Sequence, residues 1–252
     1  DITDGQFNLS TKITKNVSLD IPIISLISTE PMFVQLDKLG GVGILSDEFD
    51  IIRRLQILFA INELRPEMKI GASIKLKEDY WELAKSLTHY GADFIHIDIN
   101  NGHHKLVKDG IRRLKDEGEI DVLVGNICTP EATKDVCDWG ADGIQLGSTS
   151  VGLPMVTTLL DCVPIADDYN VPCNVGVGIR NYSDVCKGLA CGADTVTLDS
   201  MLSETRETLV ECKVGSTENI IEDVKYHILS SMKLVGSRDL STFHSNSELI
   251  KI

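Results

Sequence analysis

The 252-residue sequence predicts a closed (β/α)8 (TIM) barrel in a single domain. Three observations lead there. Eight short apolar runs suited to buried parallel strands recur along the chain, and longer segments of helical spacing separate them. Three helix-to-strand passages also end in one phrase, YGADFIHID, WGADGIQLG and CGADTVTLD, which marks a repeated unit. A doubly wound open sheet is the alternative, because alternation of strand and helix does not itself establish closure.

The elements follow in order. The polar, alternating lead DITDGQFNLSTKITKNVSLD reads as a hairpin before the barrel. The strands are IPIISL (21–26), GVGIL (41–45), KIGASI (69–74), FIHIDI (94–99), DVLVG (121–125), GIQLG (143–147), VPCNVG (171–176) and TVTLD (195–199). The segments EDYWELAKSLTHYG, HHKLVKDGIRRLKDEG and PEATKDVCDWG have helical spacing, and each closes on a glycine able to take the left-handed C-terminal position. The stretch from Asp47 to Glu67 holds one helix and an RPEM turn, too short for an inserted module. TENIIEDVKYHILSSMKLVGSRDL reads as a closing helix, so that one domain spans residues 1–252.

Composition excludes several classes of function. The net charge of −14 repels phosphate backbones and anionic lipid, which argues against nucleic acid and membrane surfaces as partners. No run approaches the ~18 apolar residues a membrane span needs, and no leader precedes the first element, so a cytoplasmic protein is expected. Seven cysteines form no CxxC pair and sit mostly in apolar runs, which suits buried thiols in a reducing compartment.

In this fold chemistry gathers at the C-terminal ends of the strands. Those ends carry Asp98, Asn100, Asn101, Gly102, His103 and His104 after the fourth strand, and Asn126 after the fifth. Gly147 and Ser148 follow the sixth, Gly176 and Gly178 the seventh, and Asp199, Ser200 and Met201 the eighth. Glycines at the seventh and eighth loops let backbone N–H groups approach a phosphate, although tight βα turns alone also demand them. Asp98, a carboxylate between apolar neighbours, is either functional or a helix cap. His103 and His104 are adjacent, point apart and are expected to open a helix.

FIHIDINNGHH, VGNICTPEATKDVCDWGADGIQLG and GVGIRNYSDVCKGLACGADTVTLDSML resemble, in order, the barrel motifs of the IMP dehydrogenase and GMP reductase family. NLSTKITKNVSLDIPIIS, LGGVGIL and VECKVGSTENIIEDVKYHILSSMKLVGSRDL are similar to the family's start, second strand and C-terminal helix. GNICTPEA is similar to the GMP reductase branch, which converts GMP to IMP and ammonia with NADPH through a cysteine adduct. The resemblance implies that Asp98 and Asn126 are catalytic, Asp98 facing cofactor and purine and Asn126 near the base, with Asn100 and Gly102 beside the cofactor. Gly147 and Ser148 would begin the catalytic loop, and Gly147 would help hold a monovalent cation such as potassium. Gly176, Gly178, Asp199, Ser200 and Met201 would lie around the ribose and phosphate. A homotetramer, NAD as alternative cofactor, an IMP dehydrogenase-like oxidation, and a noncatalytic nucleotide-binding member are implied as further possibilities.

The sequence departs from that pattern at five places. Gly147–Ser150 run straight into Val151–Pro154, where the family has its catalytic cysteine, and Cys162 lies within the following helix. LSETRETL joins VECKVGS without the family's flap, and SLISTEPM is shorter than the family's loop after strand one. Either these loops have been lost or the chain is interrupted near residues 26–31, 147–152 and 208–211. Gly176 stands where the family has a ribose-binding aspartate, and Asp199 brings a carboxylate to the phosphate loop, where charge repulsion would weaken binding.

Overall fold

The protein is described by a computed structural model covering residues 7–148, 152–208 and 215–249. Eight parallel strands close into a barrel, β3 (Ile23–Ser25), β4 (Val42–Leu45), β5 (Ile70–Ile74), β6 (Phe94–Asp98), β7 (Val122–Ile127), β8 (Gly143–Leu146), β9 (Cys173–Val175) and β10 (Thr195–Thr197). The ring is sealed where β10 pairs with β3, Val196 opposite Ile23 and Thr197 opposite Ile24, so the open sheet is excluded. Seven strands lie within the runs that predicted them, while β7 runs two residues past DVLVG (121–125), to Ile127. β3 and β9 are the most shortened, each starting just after a proline, Pro22 or Pro172, that has no N–H to enter the ladder.

The Gly-Ala-Asp phrase has a mechanical explanation. Gly91, Gly140 and Gly192 take φ of 115°, 103° and 96°, turning the chain out of a helix at low steric cost. Ala92, Ala141 and Ala193 are buried beneath the turn. The backbone N–H groups of Asp93, Asp142 and Asp194 donate to the carbonyls of Ile70, Val122 and Cys173 at 2.8, 2.9 and 2.8 Å. Their carboxylates accept from the N–H groups of the same three residues, at 2.8, 2.9 and 2.8 Å. Each aspartate therefore clamps both polar groups of the residue that opens the preceding strand.

The lead-in hairpin, β1 (Thr11–Lys12) and β2 (Ser18–Leu19), plugs the N-terminal mouth. Ile13, Val17 and Leu19 pack with Ile24, Val42, Ile44, Phe94 and Leu123 in the lower barrel interior. Thr14 Oγ1 and Asn16 Nδ2 donate to Asp121 at 2.6 and 2.7 Å, and Lys15 N donates to Asp142 O at 2.9 Å.

Helices cover the outside: α1 (Glu30–Leu39), α2 (Ile51–Leu64), α3 (Tyr80–His89), α4 (Lys105–Gly118), α5 (Pro130–Trp139), α6 (Met155–Asp168), α7 (Tyr182–Ala190), α8 (Asp199–Leu202), α9 (Thr217–Leu234) and α10 (Leu240–Asn246). Thr29, Asp50, Thr129, Asn181 and Ser216 cap helix N-termini through side-chain oxygens. His104 caps α4, its Nδ1 accepting from Leu106 N at 3.1 Å, so the paired histidines open a helix as expected. Gly118 does not terminate α4 in the left-handed position; Glu119 does, at φ 50°. A Cβ at Gly118 would lie 3.1 Å from the Trp81 ring, so this glycine makes room for packing instead.

No helix among the described residues is long and apolar enough to cross a membrane. Of the seven cysteines, Cys137, Cys162, Cys173 and Cys191 are buried, Cys128 and Cys186 are half-buried, and these six are free thiols; Cys212 lies outside the described residues. At the first suspected interruption, Ile27 N donates to Ser25 Oγ and Thr29 N to Ile27 O, both at 3.1 Å, and Thr29 caps α1. The other two suspected junctions fall on residues 149–151 and 209–214, outside the described residues.

Candidate functional site at the C-terminal rim

The strand ends converge on one mouth of the barrel. Asp98 closes β6, is half-buried, and lies in register with Gly125. It borders a cleft of about 450 Å³ whose wall also carries Ser46, Asp47, Glu48, Phe49 and Lys75. Lys75 Nζ meets Asp47 Oδ2 at 3.0 Å, and that hydrogen bond holds the ammonium pKa above its ordinary range. Three carboxylates around one lysine make this cleft suited to hydroxyl groups, which donate to carboxylates, and less suited to a pyrophosphate.

Below Asp98 on the same inner face, His96 is fully buried, its Nδ1 3.1 Å from Ser73 Oγ. Burial pushes the imidazole below its usual range, against the opposing pull of Asp98 and Asp47, so it is neutral near pH 7. Among the described residues its Nε2 has no partner, and neither does Nε of Arg54, whose Nη2 donates to Ser73 O.

Asn100 is exposed beyond β6. Gly102 is buried and packs the loop onto β7: its N–H donates to Asn126 O at 3.0 Å, and a Cβ there would lie 2.5 Å from Ile127 Cδ1. Asn126 is in β7, its Nδ2 donating to Ile99 O at 3.2 Å and its Oδ1 accepting from Gln145 Nε2 at 3.1 Å. Gly147 has φ 104° and Gly178 φ 100°, so both rim turns require glycine. Gly147 N–H donates to Ile127 O at 2.9 Å, and Ser148 is buried. Among the described residues no group of three or more His, Cys, Asp or Glu could hold a metal.

Asp199 overturns one expectation. It opens α8 rather than ending a strand, and its carboxylate points into β3, accepting from Ser25 Oγ and Leu26 N, both at 2.8 Å. Burial raises its pKa, opposed by the bonds from Ser25, Leu26 and Ile27. The carboxylate holds the loop after β3. Ser200 Oγ donates to Ile179 O, which joins the β9 and β10 loops, while Met201 packs against the core and its N–H is used by Leu198 O at 2.8 Å.

Gly176 is also explained by its neighbour. A Cβ there would lie 2.5 Å from Gln145 Cγ, so Gln145 occupies the space a side chain would need. Gln145, Asn174, Thr195 and Thr197 form a buried polar row that the reading of strand ends did not single out. The signal was a lone amide inside each apolar run, GIQLG and VPCNVG.

This architecture defines a (β/α)8 barrel whose N-terminal mouth is plugged by a hairpin and whose C-terminal rim, among the described residues, is polar and glycine-rich. A family model described as "IMP dehydrogenase / GMP reductase domain" matches residues 1–214, and the chain belongs to that family. Inosine-5'-monophosphate dehydrogenase of Cryptosporidium parvum is 29% identical over 293 residues, covering 94% of this chain and 71% of that protein. GMP reductase of Leishmania major is 33% identical over 213 residues, covering 79% of this chain and 40% of that protein. GMP reductase of Leishmania donovani is 33% identical over 182 residues, covering 67% and 37%. The chain thus spans about two fifths of the length of these two reductases. The Cryptosporidium alignment runs over 293 positions against about 237 residues of this chain (94% of 252), so the relative carries segments that this chain lacks.

Proposed function

We propose that the chain binds a purine nucleoside monophosphate across the C-terminal rim and is a GMP reductase-like oxidoreductase in its natural form, taking GMP to IMP with NADPH. The observation that carries this reading is the order of family motifs, which fall on the ends of β6, β7, β8, β9 and β10 around one mouth in a family member. The phosphate lies against the turns at Gly147 and Gly178 and the hydroxyl of Ser200, with the base toward Asn126. Gly147 would help hold a monovalent cation such as potassium. The cofactor's ribose suits the cleft at Asp98 and Ser46, with Asn100 at its edge. When bound, NADPH supplies a hydride. Asp98 accepts hydroxyl donors there and orients the ring over the mouth. A homotetramer is the assembly expected.

A second reading has its own support. The sequence holds no cysteine between Cys137 and Cys162, where the family's nucleophile belongs. Cys128, beside Gly147 at the rim, has its thiol pKa raised by burial and is a poor thiolate. A noncatalytic nucleotide-binding member of the family fits these facts. Titration of the purified protein with GMP and IMP, followed by an assay for ammonia with GMP and NADPH, separates the cases. Binding with ammonia release supports the reductase; binding without turnover supports the noncatalytic member; no binding of either nucleotide refutes both. The intact mass of protein from its native source, compared with 27.7 kDa, tests whether the natural chain carries further loops.

A further inference from the structure

Gln145 lies in β8, 5% exposed, between Gly125 on β7 and Gly176 just after β9. A Cβ at Gly125 on β7 would sit 2.7 Å from Gln145 Cβ, and a Cβ at Gly176 after β9 would sit 2.5 Å from Gln145 Cγ and 2.7 Å from its Cδ. Neither contact is one that a Cβ can make, so the two glycines form a slot that the glutamine fills. Gly125 is also the register partner of Asp98, which places this slot one strand from the carboxylate bordering the cleft.

The carboxamide in the slot is held in one orientation. Gln145 Nε2 donates to Asn126 Oδ1 at 3.1 Å, and Gln145 Oε1 accepts from Asn174 Nδ2 at 3.2 Å. Asn126 Nδ2 is engaged with Ile99 O at 3.2 Å, and Asn174 Nδ2 also meets Thr197 Oγ1 at 3.1 Å. Asn174 Oδ1 accepts from Thr195 Oγ1 at 3.3 Å. The donors all run one way, from Asn174 through Gln145 and Asn126 to Ile99. Turning any amide over would set oxygen against oxygen, so each amide fixes the next.

We propose that Gln145 is the specificity-determining residue of the rim site. It takes the volume that side chains at 125 and 176 would occupy, holds Asn126 in one orientation, and leaves an uncharged floor under the nucleotide. This rests on the reading that a purine monophosphate binds at this rim with its ribose over Gly176. Much of the amides' hydrogen-bonding capacity is spent within the row, so the floor has little to offer a ribose hydroxyl. A site that reads a hydroxyl through buried polar groups rejects the analogue lacking it strongly, whereas one without such groups does not. The protein therefore binds GMP and 2′-deoxy-GMP with affinities within roughly threefold of each other.

The test has two arms. Without ligand, thermal unfolding of Gly176→Ala, Gln145→Ala and the double variant measures coupling. Gly176→Ala alone lowers the midpoint, and in the Gln145→Ala background that loss shrinks to less than about half. With ligand, calorimetric titration compares GMP with 2′-deoxy-GMP for wild type, Gln145→Glu and Gln145→Ala/Gly176→Asp. The double variant, with a carboxylate facing the ribose, raises the preference for GMP to roughly tenfold or more. Gln145→Glu, which turns a donor into an acceptor facing Asn126 Oδ1, weakens binding of both nucleotides alike. Additive unfolding costs, or one GMP to 2′-deoxy-GMP ratio shared by all forms, overturns the proposal. If no form binds GMP, the purine reading falls, and the ligand-free coupling alone decides whether Gln145 shapes the floor.

Discussion

At the N-terminal mouth of the barrel, three aspartates of a repeated tripeptide grip the starts of the strands before them, and a hairpin closes the opening. At the C-terminal mouth, the corresponding carboxylates do unlike things: Asp98 borders a cleft, Asp47 pairs with Lys75, and Asp199 holds a loop of another strand. The lower mouth is one solution used three times, while the upper is assembled from single solutions. The difference teaches where each kind of residue can be changed. A repeated clamp serves only stability, whereas an irregular rim mixes stability and recognition residue by residue.

The largest expected effect tests the lower mouth by pH. Burial raises the Asp194 pKa from 3.8 to about 6. A folded-state pKa above the unfolded value means that the native state holds the proton more tightly. The stability from this group is complete below pH 4 and is lost as pH rises through 6. Asp194→Asn keeps an acceptor for Cys173 N and removes the titration. We expect the variant to match wild type near pH 4 and to exceed it at pH 8 by up to about 3 kcal/mol in urea unfolding. Parallel pH profiles for the two proteins would show that the carboxylate is not strained by burial.

The plug is next. A Cβ on Gly143 would come within 2.4 Å of Ile13 O, a backbone atom that moves only if the hairpin does. Gly143→Ala is expected to cost about 2 kcal/mol and to speed proteolysis at the hairpin. A cost below about 0.5 kcal/mol would mean that the hairpin rests on the mouth without sealing it.

The upper mouth yields the two smaller effects. Asp199→Gly leaves Ser25 Oγ and Leu26 N without their acceptor and is expected to cost about 1 to 2 kcal/mol, more than an exposed cap changed to glycine. GMP affinity should stay within about twofold, since the carboxylate faces away from the mouth. Tighter binding in the titration would return Asp199 to the phosphate site. Asn100→Ala, at an exposed position, should shift stability by less than about 0.5 kcal/mol. Any change it makes should be confined to the cofactor's KM, which steady-state kinetics or a cofactor titration would show.

The frame was legible in the sequence because its signals are local. Each strand shows as its own apolar run, each Gly-Ala-Asp turn as its own phrase, and His104 as the opening of its own helix. The rim was only partly legible. Asp98 lies where its strand end placed it, but the cleft beside it is built from Ser46, Asp47 and Lys75 on other loops. Gly118 looked like a helix stop because glycine serves both turns and close packing, and only the position of Trp81 decides which.

By itself the sequence determined the alternation of strand and helix, the repeated clamp and the glycines of the turns, since these depend on side chains within one element or its nearest neighbours. Only the tertiary structure decided which way Asp199 points and what fills the space beside Gly176. Ser25 and Asp199 are 174 residues apart in the chain and meet because β10 closes onto β3. Gln145 meets Gly125 and Gly176 because β7, β8 and β9 lie side by side. A carboxylate at a strand end is bound either to a ligand or to a neighbouring loop. Which of these holds is set by closure of the barrel, a contact between distant residues that local periodicity does not encode.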